Sequence, residues 1–597
     1  MMNWASPAFR IFGLILPLVT ACACRQPVAL NIPPRPLEGR GLENIVAFAR
    51  LYGYVRYFHP SDEAARADWA SFVIAGARKV ETATCDSELV LLLDTLFLPL
   101  APSLKIYQTS KPPPQEDYRA CDTTKFLAWE HHGVKGDGGS PVYSSQRIAD
   151  TSTAWSDKFP GPAERYHADL GAGVSCDVPL ALCTDTNGTL PRSGSIPPVA
   201  LPPLFLPTVE DRSTRLADVI VAWNVLQHFH PYLKLTTAEW EGPLRRALTS
   251  AATDSSEQML VFTLRVLVAG VRDGHGSILP LTAGVQDAYA LPLLWEWVED
   301  QLVITAVHPS ASDRLQRGDV VTAINRSPVE DIIMQREQEV SAATSWHRRW
   351  IALSDLRLGK RESVCSLTVH RSPADTLQVA VRRAVRPYDV VEQRPEPLSE
   401  LSAGVYYIDL TRVSEREFLE YIPRLTSARG IVLDLRGYPH LPPLMLQHLA
   451  TGVVPSPRFA IPIVVRPDRS AMQHENSQWT LKPLEPHIGA RVVCLIDTRA
   501  VSQSETWLSI MAQERLAVLV GEPTAGTNGD INVIRLPSKI RMLWTGLAVT
   551  NNDGSPVYGV GIVPDRLIHR TVTGIRAGRD EILEAGLAEV SGQPRPD

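Results

Sequence analysis

Beyond its N-terminus the chain lacks any run of eighteen or more apolar residues, so no internal membrane span is expected. It also lacks a long basic run. Lys and Arg number 59 against 65 Asp and Glu, a net charge of -6, and nucleic acid is not an expected partner. Cysteine is scarce, with 8 in 597 residues and no CxxC pair, which argues against a zinc site. Apolar residues make up 44% and charged residues 21%, a balance that excludes wholesale disorder. Proline is plentiful instead. Its 48 copies cluster between periodic segments, as in KPPPQED at 111–117 and SIPPVALPPLFLP at 195–207, and read as stiff connectors between modules. At roughly 100–200 residues per domain, the length implies about three to five domains.

The N-terminus reads as an address. Arg10 precedes the apolar run Ile11 to Val19, and the small residues Thr20 and Ala21 lead into Cys22. Val19-Thr20-Ala21-Cys22 resembles the bacterial lipobox, which implies cleavage before Cys22, acylation of its thiol and attachment to the membrane. The alternative is a plain secretory signal with an incidental cysteine, and Cys24 blurs which thiol is used. Ala23 after the modified residue favours the outer membrane by the same resemblance. In an exported chain Cys176 and Cys183, which flank the apolar stretch 178–182, are candidates for a disulfide. Cys494 lies in an apolar run and reads as a buried small hydrophobe.

Two segments repeat. Residues 42–60, LENIVAFARLYGYVRYFHP, and 214–231, TRLADVIVAWNVLQHFHP, carry apolar residues at helical spacing, related by a constant offset of 171. The offset maps His59 on His230, Pro60 on Pro231 and Trp69 on Trp240, and runs on to Leu96 and Leu267. One register held over about fifty residues argues for internal duplication. Phe-His-Pro should end each helix, because proline disfavours αR at the preceding residue. The copies then part. The second continues into Asp273-Gly274-His275-Gly276, whereas Leu104 stands where His275 would be. His275 is therefore no part of the duplicated scaffold, and its flanking glycines place it on a tight, exposed turn, a candidate functional position.

From 301 a strand, a turn with Gly318-Asp319, a second strand ending at Asn325 and a helix from Pro328 resemble a PDZ domain. Such domains add a peptide strand to a sheet edge. The loop expected to take a carboxylate, Ala290-Leu291-Pro292-Leu293, lacks the usual glycines.

From 404 the pattern alternates strand and helix. Ile431-Val432-Leu433-Asp434-Leu435 and Leu516 to Val520 read as strands buried on both faces. Ser502-Gln503-Ser504-Glu505 falls at a strand-to-helix junction. It reads either as a capping box, with Ser502 as N-cap and Glu505 at N3, or as a nucleophile on the helix's positive end.

With Ile431 to Gly437, Ser502 to Glu505, Gly521-Glu522-Pro523-Thr524-Ala525-Gly526 and Gly561-Ile562-Val563-Pro564-Asp565, the chain resembles the tail-specific (C-terminal processing) protease family of serine peptidases. The resemblance makes Ser502 the nucleophile. One branch of that family places a lysine where Thr527 stands here, so a Ser–Lys dyad is not available. The tricorn-like branch uses a histidine from the preceding helical region, a role His275 fits by its order in the chain. That branch's glutamate falls near Tyr558, so the third member is missing or supplied elsewhere. After Arg436 only Gly437 remains of the oxyanion loop, which continues Tyr438-Pro439-His440.

The expected fold class is multidomain α/β: helical repeats plus a β-rich insert, a PDZ-like domain and a ClpP/crotonase-like α/β serine peptidase core. The expected boundaries are a signal peptide 1–22, a linker 23–41, helical units 42–100 and 209–284, a β-rich stretch with its proline-rich linker at 101–208, the PDZ-like domain 285–390 and the core 395–590. Catalysis is expected from Ser502 and His275, with backbone N–H groups of Gln503 and Gly437 facing an oxyanion and Glu505 as an auxiliary residue. No metal or organic cofactor is called for. The expected partners are a peptide or unfolded protein substrate and a membrane reached through Cys22. The alternative is a catalytically impaired relative that binds peptides or a lipophilic ligand.

Overall fold

A computed structural model describes residues 31–592 apart from 114–124, 137–139, 151–158, 162, 194–200, 202–204, 237–238, 282–287 and 373. The signal segment with Cys22 and Cys24, and Cys121, lie outside the described residues.

The helices keep the 171-residue offset. Gly39–Phe58 corresponds to Arg212–Phe229, and Asp86–Phe97 to Glu257–Ala269. Both long helices end on the histidine of Phe-His-Pro. His59 and His230 leave the helical region at ψ 117 and 120, each still donating its backbone N–H to the turn behind. Phe48, Tyr52, Leu216 and Leu226 share one apolar core between the two units. At about 1.5–3 kcal/mol for each fully buried large side chain, that shared core holds the copies together.

The stretch expected as a β-rich domain is divided between two sheets. Lys105–Gln108, Val174–Pro179 and Arg165–Gly171 form a three-stranded sheet whose Leu170, Val174 and Cys176 enter the helical core. Phe126–His132 instead joins Arg458–Val464, Gln473–Ser477 and Ala548–Thr550, which come from the C-terminal third. Cys176 and Cys183 do not pair: Cys176 is a free buried thiol, whereas Cys183 is disulfide-bonded. They sit on neighbouring strands of different sheets, so their side chains join different layers.

The segment 293–382 is an antiparallel sheet in the order Leu293–Val298, Gln301–Val307, Val320–Ile324, Val364–Ser372, Asp375–Arg382, with helices Val329–Glu337 and Ser345–Leu356. Gly318 turns the chain at φ +85, and the buried Asp319 accepts from Arg371 Nε and Nη2 at 3.0 and 2.9 Å. In the loop expected to take a carboxylate, the N–H groups of Ala290, Leu291 and Leu293 are consumed by Val385, Arg357 and Leu291 carbonyls.

The core is a six-stranded sheet: Leu398–Ser402, Val405–Asp409, Gly430–Asp434, Arg491–Ile496, Val518–Gly521, Arg566–Leu567. Its first pair is antiparallel and the rest are parallel. Phe418 and Leu508 cover one face, Ile582 and Val590 the other. Both faces are dry, which explains the unbroken apolar strands in the sequence.

Candidate active site

Ser502 follows the fourth core strand and opens the helix Gln503–Gln513. Its backbone takes φ 59 and ψ -113, a combination L residues avoid. Two bonds hold it there: Ser502 N–H donates to Thr527 O at 2.8 Å, and Thr506 N–H to Ser502 O at 3.1 Å. The capping-box reading fails, because the Ser502 hydroxyl caps nothing. At this ψ the side chain is carried off the helix axis, away from the N3 amide. Its oxygen has no hydrogen-bond partner among the described residues.

Glu505 has a different role from the auxiliary one expected of it. Fully buried, it accepts from Thr524 Oγ1 at 2.5 Å, Gly526 N–H at 2.7 Å and Thr527 N–H at 2.9 Å. It therefore clamps the 524–527 loop to the helix Gln503–Gln513. Burial pushes its carboxyl up to about 8, against the pull of those donors.

Thr527 joins the two candidates. Its carbonyl holds the Ser502 amide, and its Oγ1 accepts from Gly274 N–H at 3.1 Å, one residue before His275. A Cβ on Gly274 would lie 2.5 Å from Thr527 Oγ1, so only glycine permits this approach. Loops separated by 253 residues thus meet on one threonine. His275 Nε2 and Ser502 Oγ are not hydrogen-bonded to each other here, and Nε2 has no partner among the described residues.

Sequence reasoning missed the surroundings of His275. Strand Ser277–Leu279 pairs antiparallel with Arg541–Thr545, Ser277 opposite Leu543. Two residues further in that register, His275 meets Thr545, and Nδ1 lies 2.9 Å from Thr545 Oγ1. The Thr545 hydroxyl donates to Asp273 Oδ1 at 2.6 Å. Asp273 is fully buried and also accepts from Thr545 N–H at 2.6 Å and His275 N–H at 3.0 Å, with His230 Nε2 at 3.4 Å. Burial opposes ionisation there, but His230 and Thr545 outweigh it and hold the carboxyl below the usual range. Burial lowers His275 itself below 6.5, with Asp273 and Asp530 pulling the other way. The sequence signal was the Asp two residues before the histidine; the partner threonine left none.

Tyr558, at the place of the expected glutamate, stacks on Tyr232 with centroids 3.8 Å apart. Its one hydroxyl hydrogen is shared between Arg272 O at 2.9 Å and Val271 O at 3.1 Å, bracing the turn that carries His275.

Of the two expected oxyanion donors, only Gln503 N–H, at the helix's first turn, has no hydrogen-bond partner among the described residues. Gly437 N–H is turned onto Leu435 O at 2.9 Å, and Gly437 O accepts from Ser504 Oγ at 2.7 Å. The tight turn at Gly437, with φ 152, points the amide back along its own strand. Asp434 and Arg436 explain the Asp-Leu-Arg motif structurally. Arg436 bonds Asp434 at 2.6 Å and Asp580 at 2.8 Å, tying the strand end to the C-terminal helix.

Behind the 524–527 loop lies a cavity of about 500 Å³, walled by Trp297, Trp346, Trp350, Arg499 and Arg570, between the core and the 293–382 sheet. Trp346 Nε1 donates to Thr524 O at 2.8 Å. Among the described residues no cluster of three or more His, Cys, Asp or Glu is arranged to hold a metal ion.

A largely parallel sheet covered on both faces, with a strained serine leading a helix and an Asp–Thr–His chain linked to it through Thr527, is the framework of a serine-type peptidase. Residues 404–568 match the model of peptidase family S41. Among solved structures it is similar to mature CPAF complexed with lactacystin, at 12% identity and TM-score 0.52, covering 64% of this chain and 99% of that one. It is also similar to the photosystem II D1 C-terminal processing protease, at 14% identity and TM-score 0.38, covering 60% and 93%. The tricorn protease matches at 12% identity and TM-score 0.34, over 68% of this chain and 38% of that one. No curated protein matches the sequence.

Proposed function

We propose that this chain is an exported endopeptidase that cleaves extended or unfolded protein segments in the bacterial envelope, with Ser502 as nucleophile and His275 as general base. The observation that carries the reading is Thr527, which binds the Ser502 amide through its carbonyl and the Gly274 amide through its hydroxyl. His275 Nε2 takes the Ser502 proton as Oγ attacks the peptide carbonyl, and Gln503 N–H with the helix's positive end takes up the charge on the oxygen. His275 then passes the proton to the leaving amine, and water hydrolyses the acyl-serine by the same route. The Oγ–Nε2 hydrogen bond forms as substrate seats, since such contacts tighten in the substrate complex. The chain is held at the outer membrane by a lipid on Cys22, and the PDZ-like module at 293–382 presents substrate through its sheet edge. Among the described residues no helix is long and apolar enough to cross a membrane.

A fluorophosphonate probe tests this. Wild-type protein should be labelled once, Ser502→Ala not at all, and His275→Asn about 10²–10⁴ times more slowly. Equal labelling of wild type and Ser502→Ala overturns the assignment. A second reading, a peptidase-fold protein that binds peptides or a lipophilic ligand without turnover, is favoured by the Gly437 amide being committed to Leu435 O. It predicts no labelling, and a peptide affinity unchanged by Ser502→Ala.

A further inference from the structure

We propose that Asp273, acting through the Thr545 hydroxyl, supplies the third member of the catalytic set, holding His275 with its proton on Nδ1 and Nε2 bare towards Ser502. The inference rests on the reading of His275 as the base and names what orients it.

The number of available hydrogens fixes the tautomer. The Thr545 hydroxyl has one, and it points at Asp273 Oδ1, 2.6 Å away. An ionised carboxylate can only accept, so that hydrogen is committed. Towards His275 Nδ1, at 2.9 Å, the Thr545 oxygen can then only accept, and Nδ1 must carry the proton. A neutral imidazole with Nδ1–H has its lone pair on Nε2, the atom that a serine hydroxyl must reach.

The carboxylate is well fixed for this work. Oδ1 takes the Thr545 hydroxyl and the His275 N–H, while Oδ2 takes the Thr545 N–H and faces His230. Both Asp273 and Thr545 are completely buried, so water does not compete for either bond. The placement follows from strand register, which sets residue 545 opposite residue 275. Tyr558 does not fill the role. Its hydroxyl is spent on the Arg272 and Val271 carbonyls, and it brings no negative charge to the imidazole. Asp530, His230, His347, Tyr143, Tyr232 and Tyr558 are also titratable groups within electrostatic reach of this cluster.

Asp273 and Thr545 are positioning residues, so their test needs a readout that a purely structural role would not move. In full-length protein labelled with ¹⁵N-histidine, long-range proton–nitrogen spectra report the tautomer of His275, assigned by its loss in His275→Asn. The Nδ1–H form is expected in wild type and in Thr545→Ser. Thr545→Val keeps the β-branched shape but removes the oxygen, and should shift His275 towards the Nε2–H form. The rate of fluorophosphonate labelling should fall about 10- to 100-fold in Thr545→Val, short of losing the base itself, and return in Thr545→Ser. An Nε2–H tautomer in wild type, or a Thr545→Val protein with unchanged tautomer and labelling rate, overturns the proposal. Tautomer loss in Thr545→Val without labelling of any protein supports the orienting pair and overturns the peptidase reading instead.

Discussion

At Ser502 the backbone sits at φ 59 and ψ -113, a conformation that costs about 1–3 kcal/mol and persists only when its surroundings over-determine it. Thr527 O, the helix hydrogen bond from Thr506 and the Glu505 clamp supply that surrounding. In the proposed mechanism His275 is the residue whose protonation sets the rate. Its imidazole must be neutral to accept the Ser502 proton, and burial holds its pKa below 6.5. Lowering the pKa moves protonation to more acid solution, so activity should persist below pH 6.5 before it falls. A pH–rate profile of kcat/KM should show an acid limb whose midpoint lies below that of ordinary histidine. A midpoint above 6.5 would contradict the burial of the ring. Ser502 and His275 were legible as candidates because each interrupts a local pattern, one a strand-to-helix junction and the other a duplicated scaffold. Glu505 was misread because Ser-x-x-Glu has the same letters whether the serine caps the helix or turns away from it. The dihedral angle that decides between them is imposed by Thr527, which lies far along the chain.

Among the elements, what could be read locally was read well and what depends on pairing was not. The offset of 171 located both helical units, because each helix carries its own apolar stripe and ends at its own proline. The meeting of His275 with Thr545 spans 270 residues and depends on which strand joins which hairpin, and no window of sequence contains that information. The Asp-Leu-Arg strand lies between these cases. Its apolar body was plain, but the purpose of its charges appears only with Asp580 in place. Asp434 is fully buried and Arg436 almost so. Removing one partner strands the other away from water, so Asp434→Ala should cost about 3–5 kcal/mol. Asp580→Ala, whose side chain is 22% exposed, should cost less because Arg436 keeps Asp434. Chemical unfolding midpoints of the two variants would rank them, and the reverse order would refute the role given to the buried pair.

Over the whole molecule the catalytic third is not self-contained. Its strand Arg458–Val464 pairs with Phe126–His132 from the β-rich stretch, His131 opposite Val464. Its hairpin Ile531–Arg535 and Arg541–Thr545 is completed by Ser277–Leu279 from the second helical unit, and Trp544 and Met542 are buried in the helical core. Asp218 of that unit accepts from Ser538 N–H at 2.9 Å, and Arg469 donates to His230 O at 2.7 Å. Separate domains at 101–208 and 395–590 were the natural reading of a chain punctuated by proline, because sequence shows connectors and not the sheets that bridge them. The consequence is testable. A fragment covering 395–592 would expose two unpaired strand edges and the apolar side chains of Trp544 and Met542, the conditions under which edges pair with other chains. It should therefore be recovered aggregated or without a cooperative melt, whereas a chain beginning at residue 31 should melt with the helical units and core together. Circular dichroism and gel filtration of the two proteins decide the matter. A soluble, monomeric, cooperatively melting 395–592 fragment would show that the bridging strands are decoration, and that the site's histidine is borrowed from a unit the core does not need in order to fold.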